Sequence, residues 1–354
     1  MAKDPKKLAQ EDAAHHHRDY HTEVRALLKK GGVTIAEVAK ATGLPESLAK
    51  AVITDIQHGG HNVQMVGERI TITNVMPAAK IDGAHMTLDA DDDGWIAFGA
   101  CGDTHLASRY ERLDVLEGLY DEFARAGVHH VFHTGNWIDG EHPRNAPSHE
   151  LLAHGLTGQC EYLADHYPRR DGITTYAVAG DDHEGWFQQR EGIDVGRYAE
   201  AVMRDYGRAD WKNLGYQAAH VLLKNKAGKS CVMLVEHPGG GSSYADSYSI
   251  QKIIESLDGG EKPAIALFGH YHKLMMGEYR GCWYFQTGCT KDRDSFARKK
   301  KLRYTRGGWV IRVHLDKHGA IDAIEPRAFR WFNTGYTQGA NELKPRKPKV
   351  SRTP

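Results

Sequence analysis

Trp95-Ile96-Ala97-Phe98-Gly99-Ala100-Cys101 runs without a break into Gly102-Asp103-Thr104-His105. An apolar run that ends in glycine and a cluster of polar side chains reads as a buried strand leading into a loop. The pattern recurs outward from this point. Val128 to Thr134 leads into Gly135-Asn136, and Thr174 to Ala179 into Gly180-Asp181-Asp182-His183. Val232 to Val235 leads into Glu236-His237, and Ile265 to Phe268 into Gly269-His270-Tyr271-His272. Leu113, Leu116, Tyr120 and Phe123 form a helical stripe after the first strand. Strands separated by helical segments predict an α/β fold, in which chemistry gathers just beyond the carboxyl ends of the strands.

The residues at those ends share a chemistry. Asp103, His105, Asn136, Asp182, His237, His270 and His272 offer oxygen and nitrogen donors suited to first-row divalent metals. Asp103 and His105 lie two apart, as do His270 and His272, so in an extended stretch each pair leaves one face. A single Asp-x-His or His-x-His is commonplace. All of them in order, each at a strand end, predict one pocket that grips metal.

Gly102-Asp103-Thr104-His105, Gly135-Asn136-Trp137-Ile138-Asp139, Gly180-Asp181-Asp182-His183-Glu184, the lone His237 and Gly269-His270-Tyr271-His272 together resemble the calcineurin-like metallophosphoesterases. That family's pattern is DxH, GDxxD, GNH[DE], a lone His and GHxH. The resemblance spans about Trp95 to Phe332. It implies an α/β fold arranged as a four-layer α/β/β/α sandwich, and two divalent metal ions. Manganese is expected first, with iron, zinc, nickel or magnesium as alternatives. By the same resemblance Asp103, His105 and His272 hold one ion, Asp182, His237 and His270 hold the other, and Asn136 occupies the bridging position. His183 matches the catalytic histidine, and Asp139 and Asp181 are expected to support the ligands from behind. Asp139 could equally be an aspartate that caps its turn. The implied reaction is hydrolysis of a phosphate ester by a hydroxide that the metal pair activates.

Two positions depart from the family pattern. The bridging residue is normally Asp but is Asn136 here, and the residue before the catalytic histidine is normally Asn but is Asp182 here. A neutral amide bridges two cations poorly. The exchange is reciprocal, so the formal charge of the site is conserved, and Asp182 or Asp181 is expected to take over bridging. Asn136 also keeps open a catalytically eroded, DNA-binding accessory subunit.

Before this region lies a small helical unit. His21 to Lys30 predicts one helix, Thr34 to Glu37 opens a second through a capping box, and Pro45 begins a third that runs to about Gln57. Ile35 and Val38 on the second helix, and Leu48, Val52 and Ile56 on the third, predict a shared core. Asn62 to Val66 and Arg69 to Ile72 flank a turn and predict a hairpin. The ensemble, residues 21–76, resembles a winged helix-turn-helix domain. Its third helix offers Lys50 and Gln57 against Glu46 and Asp55, which is poor equipment for reading base edges. Residues 1–20 are expected to be a flexible N-terminus, 77–94 an acidic linker, 95–335 the catalytic domain and 336–354 a basic flexible tail.

Composition narrows the rest. No apolar stretch approaches the roughly 20 residues that span a bilayer, and Met1 to Asp12 lacks the apolar core of a secretory signal. Five scattered cysteines without CxxC spacing predict reduced thiols and a cytoplasmic protein. Formal charge is zero, yet Thr287 to Pro354 holds 17 basic against 6 acidic residues, a net of +11 that the remainder balances with −11. Arg298, Lys299, Lys300, Lys301, Arg303 and Arg306 form its densest part and are candidates for nucleic-acid contact. With the winged-helix resemblance they favour a nuclease-type phosphodiesterase, with DNA the expected partner. A phosphatase or small-nucleotide hydrolase with a regulatory N-terminal unit is the alternative.

Overall fold

A computed structural model describes residues 19–332 apart from 59, 60, 62, 67, 73–85, 145, 242 and 259. The histidine cluster at 15–17, most of the expected N-terminal segment and the 336–354 tail lie outside the described residues. Near the N-terminus come α1 (Tyr20–Lys29), α2 (Ile35–Thr42), α3 (Glu46–His58), β1 (Val63–Val66) and β2 (Arg69–Ile72). The capping box forms as its spacing predicts: Thr34 Oγ1 accepts from Glu37 N, and the Glu37 carboxylate accepts from Thr34 N at 2.8 Å. β1 and β2 pair antiparallel, and Val33 exchanges two backbone hydrogen bonds with Ile70. Val24, Leu28, Val38, Ala39, Ala49, Ile53, Ile56 and Ile70 fill the core of this unit. The expected stripe on α3 is met by the buried Ile56 and by Val52, which packs partly buried against this core, but not by Leu48. Leu48 is 53% exposed, and Ala49 and Ile53 point inward with Ile56. A strict spacing of four from Leu48 missed Ala49 and Ile53, one position further along, and so set the phase of the first turn wrongly.

The larger unit opens with β3 (Met86–Asp89) and β4 (Trp95–Cys101). Residues 86–89, expected to be linker, are therefore an edge strand, with Leu88 buried and Met86 paired beside Val221. The acidic run after it is a turn: Asp91 Oδ1 accepts from Asp93 N and Trp95 N. Residues 77–85 lie outside the described residues. Then follow α4 (Leu113–Arg125), β5 (His130–His133), α5 (Gly155–His166), β6 (Thr174–Ala179), α6 (Glu184–Glu191), α7 (Val195–Asp205) and β7 (Trp211–Tyr216). After these come β8 (Ala218–Lys224), β9 (Ser230–Glu236), α8 (Tyr248–Ser256), β10 (Ile265–Phe268), β11 (Leu274–Tyr279), β12 (Cys282–Thr287), α9 (Ser295–Lys300), β13 (Arg306–Leu315) and β14 (Ile321–Trp331).

Two mixed six-stranded sheets result, in the orders β11-β12-β10-β9-β8-β3 and β14-β13-β4-β5-β6-β7. Three apolar clusters separate four layers. Phe98, Phe132, Val178, Val221, Val235, Leu267, Phe285 and Ile311 lie between the sheets. Leu116, Phe123, Leu163, Ala199 and Met203 bury the helices α4, α5 and α7 on the second sheet. Ile250 and Ile254 of α8 meet Leu234, Phe268 and Tyr284 on the first. Burial of these faces is the main force holding the layers together. β4, β5 and β6 run parallel in one sheet, as do β9, β10 and β12 in the other. Their carboxyl ends deliver the polar loops to one place. Among the described residues no helix is long and apolar enough to cross a membrane, and all five cysteines are buried free thiols.

Candidate metal centre

The loop after β4 and the loop after β5 are zipped together: Asp103 N donates to Gly135 O and His105 N to Asn136 O, each at 2.9 Å. The donors do not converge by strand alternation. Asp103, His105, Asn136, His270 and His272 all take left-handed backbone angles, with φ between 49° and 72°. Such angles cost a non-glycine residue on the order of 1–3 kcal/mol and persist where the surroundings impose them. These five are therefore turned into the pocket by their own backbone, not by the face of a strand, whereas Asp182 and His237 reach it without a left-handed angle. Close approach explains the neighbouring glycines. Gly135 has φ +94° and sits against the His237 ring, and a Cβ on Gly180 would stand 2.3 Å from Asn136 Oδ1.

Among the described residues three groups of three ligand atoms result: Asp103–His105–His272, Asp182–His237–His270, and His105–Asp139–His183, which shares His105 with the first. In the first, His272 Nε2 lies 3.2 Å from both Asp103 Oδ1 and His105 Nε2. In the second, His237 Nε2 lies 3.4 Å from Asp182 Oδ1 and 3.2 Å from His270 Nδ1. Asn136 joins the second through Nδ2, which donates to Asp182 Oδ1 at 3.1 Å. Asn136 Oδ1 is buried yet accepts no hydrogen bond, and the buried Asp103 Oδ1 faces the His272 ring nitrogen at 3.2 Å. Buried acceptors normally have partners, so an orphaned amide oxygen beside carboxylates amid imidazole nitrogens fits a site made for cations. Asp181 is in none of these groups: its carboxylate faces Gly239 and its carbonyl accepts from Gln189.

The protonation pattern has identifiable causes. Burial works against the charged form of His237 and His272. Asp182, Asp103 and Glu184 nevertheless push His237 up to about 9, and Asp103 with Cys289 pushes His272 up to about 10. Burial, Lys291 and His183 hold His105 well below the ordinary histidine range. Burial alone would raise Asp182, but His183, His237 and His270 hold it well below the usual carboxylate range.

Behind the first group, His105 Nδ1 donates to Asp139 Oδ1 at 2.9 Å, and His183 Nδ1 donates to the Asp139 carbonyl at 2.5 Å. The His105 and His183 rings meet edge to face, with centroids 4.4 Å apart. Sequence reading gave no role to Glu184, Lys291, Asp294, Arg144 or Tyr304. Glu184 Oε1 accepts from Gly180 N and Asn136 N, welding two ligand loops, and burial pushes its carboxyl up to about 8 against those donors. Its place directly after His183 in the quoted motif was the available signal.

A cavity of about 590 Å³ opens over the first two groups, lined by His105, Asn136, Asp182, His183, His270 and His272. Its outer wall carries Arg144, Lys300, Arg303 and Tyr304. Arg298, Lys299 and Lys301 are exposed on the same segment. Arg306 does not belong with them: it opens β13, is only partly exposed and pairs with Asp292 at 3.2 Å. Gly240 closes one side, its carbonyl accepting from His270 Nε2 at 2.6 Å. Trp309 is buried and donates to Gln286 O, so it offers no stacking surface.

No family model matches the chain, and no curated protein matches it. Among solved structures, an archaeal phosphodiesterase is 11% identical over 67% of this chain and 100% of its own, with a TM-score of 0.34. Vps29 from Entamoeba histolytica, complexed with zinc, is 13% identical over 66% and 99%, with a TM-score of 0.33. A 5'-nucleotidase precursor from Thermus thermophilus is 12% identical over 70% and 58%, with a TM-score of 0.34.

Proposed function

We propose that the chain is a metal-dependent phosphoesterase and that its best-fitting substrates are phosphodiesters of nucleic acid. The observation that carries this reading is the pairing of Asp103–His105–His272 with Asp182–His237–His270, beside the buried Asn136 Oδ1 that lacks a partner. These six residues would hold two divalent ions, manganese foremost, with Asn136 Oδ1 facing them. Bound there, such ions neutralise charge on a phosphoryl group and lower the pKa of water. The remaining chemistry belongs to the chain. His183, with Nδ1 engaged by the Asp139 carbonyl, keeps Nε2 to hand a proton to a leaving oxygen. Arg144, Lys300 and Arg303 supply cations where flanking phosphates would lie. The N-terminal helices and hairpin are proposed to add backbone contacts, since α3 is poorly equipped for base readout.

Hydrolysis of bis-p-nitrophenyl phosphate with manganese tests the reading. Turnover is expected in the wild type and lost in both Asp103→Ala and His183→Ala; no metal-dependent turnover in the wild type would overturn it. A panel of single- and double-stranded DNA, RNA and mononucleotides then tests the nucleic-acid part. Asn136 favours one second reading. Its amide occupies Asp182 Oδ1, leaving a weaker second group and a chain that binds nucleic acid without cleaving it. Binding of DNA without cleavage of any panel member would select that reading.

A further inference from the structure

Lys291 is 1% exposed, although the run Lys291-Asp292-Arg293-Asp294 reads as a solvated charge cluster. Its Nζ lies 2.7 Å from Asp139 Oδ1 and 2.8 Å from Asp294 Oδ2. Asp139 Oδ1 thus faces an ammonium and the His105 imidazole at once. Desolvation offsets much of the attraction within a buried ion pair, so such a pair is weak support for folding. A buried cation in the wall of this cavity calls for another reason.

We infer that Lys291 is a positioning residue: it pins the Asp139 carboxylate in the orientation that directs His105 Nε2 toward Asp103 and His272. The inference rests on the metal-dependent reading above. With Nδ1 engaged by Asp139, Nε2 is the His105 nitrogen left for a ligand, 3.9 Å from Asp103 Oδ1 and 3.2 Å from His272 Nε2. Without Lys291, Asp139 is a buried carboxylate short of a donor. It is then free to turn toward His183 or to draw in water, and the His105 ring turns with it. The link to the second group is longer and looser, through His183 at 3.7 Å from Asp139 Oδ1 and 4.0 Å from Asp182 Oδ2, and that group has anchors of its own. His237 is oriented by the Thr134 carbonyl at 2.7 Å, and His270 by the Gly240 carbonyl. Asp294 also has separate work, accepting from Ala297 N at 2.7 Å as the N-cap of α9. Loss of Lys291 should therefore weaken one ion site and spare the other.

The test titrates manganese into the metal-free full chain and counts free ion by electron paramagnetic resonance, for wild type, Lys291→Met and Asp294→Asn. Methionine keeps much of the volume and removes the charge; asparagine keeps the cap and leaves Lys291 on Asp139. The wild type is expected to bind two ions. Lys291→Met should keep one near wild-type affinity and weaken the other about 10- to 100-fold, the usual loss when a ligand's supporting partner is removed. Asp294→Asn should stay close to wild type. Equal weakening of both sites in Lys291→Met, or no weakening, overturns the inference, as does an equally large loss in Asp294→Asn. If Lys291→Met does not fold, Lys291→Gln carries the test on the same terms: weakening of one site supports the inference, and uniform or absent weakening overturns it. A wild type that binds no manganese is a separate failure, because it overturns the metal-dependent reading itself.

Discussion

His237 and His272 each hold a proton beside a carboxylate, with pKa values pushed up to about 9 and about 10. A metal needs the lone pair that this proton occupies, so uptake must expel it. Because both values are raised, affinity is expected to climb with pH up to about 9–10 and level off above. Calorimetric manganese titration at neutral pH, in buffers of different ionisation enthalpy, should show about two protons released per chain; heat independent of the buffer would contradict it. Glu184 gives the opposite kind of pH dependence. Burial raises its carboxyl to about 8, so the metal-free folded chain binds its proton more tightly than the unfolded chain does. That stabilisation is fully present below the unfolded value near 4.5 and is lost as pH rises through about 8. Glu184→Gln, which keeps the acceptor for Gly180 N and Asn136 N, should flatten this decline in urea unfolding; an undiminished slope would assign it to another group. The identities of the ligand-type side chains were legible because each follows a glycine or a strand end. The left-handed backbones of five of them were not, since Asp, Asn and His only visit that conformation more often than other residues, which marks no particular position. Lys291 was hidden by composition: among Asp292, Arg293 and Asp294 nothing marks the one lysine that folds inward.

Elements were legible where a single period dominates. The strands ending at Cys101 and Phe268 are largely buried on both faces and read as near-continuous apolar runs, and β6, which opens on two threonines, still ends in the buried run Ala177-Val178-Ala179. β3 is four residues at a sheet edge, half of them polar, and its composition resembles a linker. β14 pairs with β13 along most of its length but is largely exposed, so no apolar pattern announces it. The phase error on α3 has a measurable consequence. Ile53→Ala removes side-chain volume from the core of the N-terminal unit and should cost about 2–5 kcal/mol, whereas Leu48→Ala on its exposed face should stay within about 0.5 kcal/mol. Chemical denaturation of the two variants checks this, and equal costs would return Leu48 to the core.

At the scale of the whole chain, the split between a −11 segment up to Gln286 and a +11 segment from Thr287 decides how a polyanion would be met. Lys300 and Arg303 stand on the wall of the cavity, with Arg298, Lys299 and Lys301 exposed nearby. Beyond Glu342 the sequence adds Lys344, Arg346, Lys347, Lys349 and Arg352. Each phosphate neutralised on duplex DNA steepens the fall of log affinity with log salt by about 0.9. Truncation after Glu342 should therefore weaken binding and flatten that slope by up to about 4–5, and Arg303→Ala should flatten it by about 1. Unchanged slopes would remove nucleic acid from the reading while leaving the phosphoesterase proposal standing. The same measurement separates two kinds of recognition. With Lys50 and Gln57 set against Glu46 and Asp55, α3 brings little that can tell one base pair from another. Duplexes of unrelated sequence should therefore bind with the same affinity and the same slope, and a preference of tenfold or more, about 1.4 kcal/mol, would show that bases are being read after all.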